Sequence, residues 1–136
     1  LVVNARNLTG CSPDEAARCR RIAAAVGPTA RVAAGALPIE ALPALVARLT
    51  LLVSGDTGTL HLAVAMDVPT VGLFAVSHPE ISGAAYDLDR HVAIHRPYEK
   101  NVTTKSDDPE GMRRIGVDAV ESAVVAQLAR IGGSRQ

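Results

Sequence analysis

The sequence predicts an α/β fold with a parallel sheet covered by helices on both faces. Short apolar segments that end in β-branched residues alternate with longer segments of helical periodicity, which is the order of parallel strands joined by crossover helices. Of the 136 residues, 48% are hydrophobic but only 2% are aromatic. The core must therefore consist of Ala, Val, Leu and Ile, as in sheets that are buried on both sides.

The length allows one domain of ordinary size, which we place at residues 1–131, followed by a disordered tail at 132–136. Acidic and basic residues balance at 14 each, so no basic surface for nucleic acid is expected. No apolar segment is long enough for a transmembrane helix. The chain starts inside a predicted strand at Leu1 without an initiating Met, so we expect a preceding segment in the full-length protein.

The first part of the chain predicts two strands and two helices. The strands are expected at Leu1–Ala5 and Arg31–Ala34. Between them, Ser12-Pro13-Asp14-Glu15 is a typical helix start, with a Ser cap, Pro at the first helical position and Glu in a capping box. This helix ends at Gly27-Pro28. A second helix is expected over Pro43–Arg48, because proline would break a longer helix.

The second part predicts three further strands. The first is Leu49–Val53, the second is entered through Val68-Pro69, and the third is His91–His95. A helix that opens on Thr59 joins the first two strands. The polar segments Ala75–Arg90 and Glu99–Gly111 show no periodicity and are expected to be loops.

The last predicted helix runs over Val117–Ile131. It has apolar residues at helical spacing, which predict one buried stripe: Val117, Val120, Val124, Leu128 and Ile131.

The turn Ser54-Gly55-Asp56-Thr57-Gly58 is the most informative local pattern. A helix that follows it begins with unpaired N–H groups and a partial positive charge, which together favour a phosphate. Gly55 and Gly58 allow backbone angles denied to other residues and let a ligand approach closely. Asp56, Thr57 and His61 add a carboxylate, a hydroxyl and a titratable ring. These features predict an anion site.

Two other interpretations of these side chains compete with that prediction. Asp56 can cap the helix by accepting from the N–H of Gly58 or Thr59, which would occupy the groups that a phosphate needs. If phosphate binds, Asp56 should instead turn outward to sugar hydroxyls or to a neighbouring donor. His61 can be a core histidine bonded to a carbonyl oxygen.

A longer pattern makes the prediction more specific. The segment Asp56–Ala63, DTGTLHLA, followed by Val68–Phe74, VPTVGLF, resembles the signature D-T-G-x-x-H-x-A of the family 9 glycosyltransferases, the lipopolysaccharide heptosyltransferases and their relatives. The loop with His78-Pro79, Ser82-Gly83 and Tyr86 is also similar to that family, as are the later segments Met112–Ile115 and Val117–Val120. The resemblance implies a Rossmann-like parallel sheet with helices on both faces, the donor half of a GT-B glycosyltransferase.

For the motif, the resemblance implies contacts with a nucleotide diphosphate sugar. The N–H groups of Thr57, Gly58 and Thr59 would hold the diphosphate, with help from the Thr57 hydroxyl and His61. Asp56 would bind hydroxyls of the transferred sugar. Heptose is the family's default, and departures such as Ala75-Val76 after the Leu-Phe leave the sugar open.

Two residues outside the motif complete the expected donor site. Leu37 lies where the family packs the base, and Glu15 is the candidate for the ribose hydroxyls. The capping-box role is an equal alternative for Glu15.

The resemblance also implies partners and a mechanism. The donor, an ADP-linked sugar being one option, would be a substrate, with no cofactor and no metal, since the histidines lack ligand spacing. The catalytic residues, including the general base, are expected outside this chain in an amino-terminal domain, which also holds the acceptor, a glycan or small molecule. A cytoplasmic location, with or without peripheral contact to the inner membrane face, would follow.

Two other classes of protein are left open. One is a nucleotide-sugar 2-epimerase of GT-B fold, which would be expected to carry Ser-Gly-Gly after the Asp. The other is a noncatalytic nucleotide-binding module. A dinucleotide enzyme is disfavoured, because no G-x-G-x-x-G follows the first strand.

Overall fold

The computed structural model describes residues 2–3, 13–33, 37–75, 77–96 and 109–133. The chain divides into two compact units, Leu1–Leu45 and Val46–Gln136. Each unit contains strands that pair in parallel, and helices separate these strands along the chain. The predicted α/β class is therefore confirmed. The single domain at residues 1–131 stays a prediction.

The first unit contains a short parallel strand pair. In chain order, the elements up to the boundary with the second unit are β1 (Val2–Val3), α1 (Pro13–Val26), β2 (Arg31–Val32), a 3-10 turn (Ile39–Ala41) and α2 (Leu42–Val46). Val2 lies opposite Arg31 in the register of the pair. The helix predicted at Pro43–Arg48 starts one residue earlier and ends at Val46, because Pro43 is accommodated in a first helical turn, where its missing N–H is not needed.

The second unit is built on a three-stranded parallel sheet. Its elements are β3 (Leu52–Gly55), α3 (Gly58–Ala65), β4 (Thr70–Phe74), α4 (Pro79–Ser82), β5 (His91–His95), α5 (Pro109–Arg113) and α6 (Val117–Gly133). The strand order is β3-β4-β5. The predicted strand His91–His95 is confirmed, and α6 runs two residues beyond the predicted Ile131, to Gly133.

Three predicted boundaries were wrong. Strand β3 is not Leu49–Val53 but Leu52–Gly55, because its pairing with β4 continues from Leu52 opposite Thr70 to Gly55 opposite Leu73. The segment Ala75–Arg90 contains α4, and the segment Glu99–Gly111 ends inside α5, while residues 97–108 lie outside the described ranges. Helices of only four or five residues leave little periodicity for a sequence to show.

Helices lie on both faces of this sheet. On one face, the buried residues Val71, Ile94 and Ile115 pack together with side chains of α6. On the other face, Leu60 of α3 packs so closely on Gly72 that a Cβ there would lie 3.1 Å from Leu60 Cδ2. Because neighbouring residues of a strand point to opposite faces, Val71 and Gly72 assign the two helices to opposite sides.

The buried stripe of α6 differs from the predicted one. Val117 and Leu128 are 79% and 46% exposed, whereas Gln127 is only 2% exposed. Gln127 Nε2 donates to the backbone carbonyl of Asp89 at 2.5 Å, which satisfies an otherwise costly buried amide. Helix α6 therefore buries Gln127, whereas hydrophobic periodicity predicts that Leu128 is buried.

His91 is a buried titratable residue between α3 and the sheet edge. Its side chain is 3% exposed, its Nδ1 lies 3.2 Å from Thr70 Oγ1, and its Nε2 has no hydrogen-bond partner among the described residues. Desolvation lowers the pKa of His91 from 6.5, against the opposing effect of Asp67 and Asp87. The folded state therefore favours the neutral ring.

Within the described ranges, every helix is too short or too polar to cross a lipid bilayer.

The lowered pKa of His91 predicts a pH-dependent stability. Above pH 6.5 the ring is neutral in both states and stability is complete; below it the unfolded chain binds a proton that the folded chain resists, so the free energy of unfolding falls. The loss ends once pH passes below the folded pKa. Urea unfolding from pH 8 to pH 5, with His91→Asn beside the parent, measures this. Equal pH profiles of parent and variant would contradict it.

The contact at Gly72 predicts a large effect of a small change. In Gly72→Ala the new methyl would lie 2.7 Å from Phe74 Cε2 and 3.1 Å from Leu60 Cδ2, and both side chains are buried. We expect a loss of about 1–3 kcal/mol in unfolding free energy from overpacking. Gly132→Ala is the matched control, since nothing lies within 4 Å of a Cβ there. Equal urea midpoints for the two variants would contradict the close packing of Leu60 and Phe74 against Gly72.

Candidate functional site

The turn between β3 and α3 leaves the start of the helix open. Helix α3 begins at Gly58, not at the predicted Thr59, and Thr57 is its extended N-cap residue without a side-chain cap bond. The Thr57 carbonyl accepts from Leu60 and His61 N–H at 2.9 and 3.3 Å. Within the described ranges, the N–H groups of Gly58 and Thr59 donate to no acceptor. These amides carry the positive end of the helix dipole.

The Asp56 carboxylate is turned away from those amides. Its Oδ1 lies 3.1 Å from His61 Nε2, and its Oδ2 accepts from Ser82 Oγ at 3.0 Å. The interpretation of Asp56 as the helix cap is therefore wrong. Both oxygens bind side-chain donors instead, and each keeps capacity for one more hydrogen bond.

His61 is not a core histidine. Its side chain is 51% exposed and belongs to the first turn of α3. The contact with Asp56 engages Nε2 and fixes the ring, which leaves Nδ1 as the nitrogen available to a ligand. When Nε2–H donates to the carboxylate, Nδ1 can donate as well only if the ring is protonated. A cationic ring would thus present one donor to Asp56 and one to an anion.

Two serines at this site, Ser54 and Ser82, were not predicted to have a role. Ser54 Oγ lies 3.2 Å from Thr57 Oγ1 and donates to the Gly55 carbonyl. A hydrogen bond between two hydroxyls therefore joins the end of β3 to the N-cap residue of α3. Ser82 belongs to α4, 26 residues from Asp56. The Ser82-Gly83 pair was part of the family-like loop, but nothing in the sequence pairs Ser82 with a particular carboxylate.

The glycines of the turn are not there for unusual backbone angles. Among the described glycines, only Gly27 has a positive φ, so this part of the prediction for Gly55 and Gly58 was wrong. A Cβ at Gly55 would touch Met112 Cε at 3.7 Å, whereas one at Gly58 would meet nothing within 4 Å. Packing among the described residues therefore does not require glycine at position 58.

The two predicted donor contacts outside the motif lie in the first unit. Glu15 is in the first turn of α1, and Leu37 is exposed. Ser12, the predicted cap partner of Glu15, lies outside the described residues. The roles of Leu37 and Glu15 at a base and a ribose stay predictions.

A larger groove, of about 480 Å³, lies at the opposite edge of the three-stranded sheet. Its two arginines are already paired: Arg90 Nε lies 2.9 Å from Asp67 Oδ1, and Arg130 Nη1 lies 3.2 Å from Asp89 Oδ1. With Asp87 as a third acid in the lining, the groove favours no anion. The turn between β3 and α3 lies at the carboxyl ends of the strands, where ligands usually bind to parallel sheets, and it is the better candidate for an anion site.

The expectation of no metal overlooked one pattern. Asp87 and Asp89 form an Asp-x-Asp pair, but Asp89 also bonds Arg130. In the described part of the chain, no three His, Cys, Asp or Glu side chains are grouped so that they could hold a metal ion.

Comparison with known proteins gives one result. The model of glycosyltransferase family 9 (heptosyltransferase) matches residues 4–110, more than half of the chain. No curated protein and no solved structure gives a significant match. The matched range includes the turn, α3 and α4, so all of the contacts around Asp56 fall within it.

Proposed function

The chain belongs to glycosyltransferase family 9, and from this premise we propose that it binds a nucleotide diphosphate sugar through the turn before α3 and donates the sugar to an acceptor hydroxyl. The sugar is proposed to be heptose or a related one, with an ADP-linked donor as one option. The observation that carries the proposal is the open start of α3, where Gly58 and Thr59 keep unpaired N–H groups while Asp56 bonds to His61 and Ser82.

The chemistry of transfer explains why such a turn is useful. When an acceptor hydroxyl attacks the sugar, the nucleoside diphosphate leaves and gains negative charge on the oxygen that was bonded to the sugar. Fixed N–H dipoles stabilise that charge more strongly in the transition state than in the bound donor, which lowers the barrier. The amides of Gly58 and Thr59 and the ring of His61 supply such donors. The Thr57 hydroxyl would join them only by giving up its bond to Ser54 Oγ, because Ser54 donates to the Gly55 carbonyl.

Asp56 is proposed to bind the sugar rather than the phosphate. A carboxylate next to a diphosphate would repel it, but each Asp56 oxygen uses one hydrogen bond and can accept another from a sugar hydroxyl. In this proposal the helix dipole and side chains take the place of a metal ion, and the transfer is metal-independent. The general base and the acceptor site are proposed to lie in a preceding amino-terminal domain of the full-length protein.

A donor panel tests the proposed activity directly. The full-length protein is incubated with ADP-, GDP- and UDP-linked sugars and candidate acceptors, and release of the nucleoside diphosphate is followed together with the glycosylated product. We expect transfer from one class of donor, and loss of transfer in Asp56→Ala. Release of a 2-epimer of the donor sugar without any transfer would instead support the epimerase alternative.

The substitution Gly58→Ala should weaken ligand binding without lowering the stability of the fold. In Gly58→Ala the added methyl meets nothing in the protein within 4 Å, and alanine favours a helix over glycine. We expect an unchanged or higher melting temperature but about tenfold weaker binding of inorganic pyrophosphate by calorimetry, because the methyl enters the path of the ligand. Gly132→Ala is the matched control, because a Cβ at this position near the end of α6 also meets nothing within 4 Å. Its pyrophosphate affinity should equal that of the parent. Full affinity in Gly58→Ala would contradict the proposed approach of the phosphate.

His61 predicts a loss of phosphate affinity. In His61→Ala we expect pyrophosphate binding to weaken by roughly 1–3 kcal/mol, the usual size of a charge-assisted hydrogen bond. His78→Ala is the control, since His78 contacts the His95 ring and has no hydrogen bond to Asp56. An affinity equal to that of the parent would rule out the phosphate contact of His61.

A further inference from the structure

Ser82 occupies a fixed position at the end of α4. Helix α4 stops directly after it, where Gly83 N–H donates to the Pro79 carbonyl at 2.7 Å. A Cβ at Gly83 would collide with that carbonyl oxygen, so the helix end needs glycine here. The Ser82 hydroxyl is thereby held 3.0 Å from Asp56 Oδ2, with the His78 carbonyl 3.2 Å away as a second acceptor.

Asp56 has a competing position that the sequence favours. Asp56 stands one residue before the N-cap Thr57, and from there an aspartate can accept from the backbone N–H groups two and three residues on, those of Gly58 and Thr59. Among the residues that the structure describes, those N–H groups have no acceptor, and the carboxylate bonds His61 through one oxygen and Ser82 through the other. Two side-chain donors thus replace the two amides that a capping Asp56 would use.

We propose that Ser82 is a positioning residue, whose hydroxyl keeps the Asp56 carboxylate off the start of α3 so that its amides stay open to a phosphate. The inference rests on the proposed function of the turn. Without the hydroxyl, only His61 restrains the carboxylate, and Asp56 can rotate onto the Gly58 and Thr59 amides. There it would both occupy the donors and repel the incoming anion.

A double-mutant cycle tests this role, with inorganic pyrophosphate as the probe because it lacks the sugar that Asp56 is proposed to bind. Calorimetry compares the whole chain with Ser82→Ala, Asp56→Ala and the double variant. We expect Ser82→Ala to weaken binding about tenfold, the equivalent of one hydrogen bond. In the Asp56→Ala background the same change should have no effect, because no carboxylate remains to be restrained.

The controls separate positioning from a general structural role. Ser82→Thr keeps the hydroxyl and should retain most of the affinity, and Ser77→Ala in the same segment should match the parent. The melting temperature of each variant is measured in parallel. If Ser82→Ala does not fold, Ser82→Cys takes its place in the cycle, since its thiol has similar size and donates weakly.

The outcomes distinguish this inference from the proposed function. Equal weakening by Ser82→Ala with and without Asp56 would overturn the positioning role while leaving the phosphate site intact. Full affinity in Ser82→Ala would overturn it as well. If the parent chain binds no pyrophosphate, and the full-length protein releases no nucleoside diphosphate from any donor, the proposed function itself fails and the inference with it.

Discussion

The pair of hydrogen bonds that hold the Asp56 carboxylate determines what the turn before α3 can do. A carboxylate placed before a helix normally satisfies its first amides, which would close the helix to other anions. Here His61 and Ser82 provide the donors instead, and the amides of Gly58 and Thr59 keep their hydrogen-bonding capacity. The side chains of Asp56, His61 and Ser82 therefore form a polar site and leave the Gly58 and Thr59 amides available to an anion.

The sheet gives that turn a fixed place. Pairing of β3 with β4 continues to Gly55 opposite Leu73. The chain therefore leaves the sheet at the carboxyl end of the strand, and only Asp56 and Thr57 separate β3 from α3. Close packing of Leu60 on Gly72 holds the first turn of α3 against the sheet. A turn constrained at both ends loses little further entropy when a ligand binds, and preorganised donors of this kind are what charge stabilisation requires.

Local patterns made some of these features predictable. The turn, its helix and the flanking strands follow from apolar segments, glycines and a polar turn within some 25 residues, and the strand His91–His95 follows from its alternation. Long-range contacts were beyond such patterns. The bond from Ser82 to Asp56 spans 26 residues, and the bond from Gln127 to the Asp89 carbonyl spans 38.

The errors have the same physical origin. Asp56 was assigned two positions, the helix cap and an outward orientation, and only the donors that the fold brings to it decide between them. Leu128 was assigned to the core because hydrophobicity was the only available criterion, whereas the fold supplies a partner that makes Gln127 a buried residue. Gly55 and Gly58 looked like conformational glycines, yet the difference between backbone need and ligand space appears only once neighbouring atoms are known.

The two ends of α3 show why the site lies where it does. At the carboxyl end, Asp67 adopts a left-handed conformation with φ 57°, Arg90 donates twice to its carbonyl, and the Tyr86 hydroxyl donates to the Val64 carbonyl. The negative end of the dipole is thus satisfied by the protein's own donors. At the amino end Asp56 could accept from the first amides, but its carboxylate is hydrogen-bonded to His61 and Ser82 instead. A helix whose carboxyl end is satisfied and whose first amides are open favours anions at its amino end. This asymmetry, and not the size of the groove at the other edge of the sheet, is our reason for proposing the donor site there.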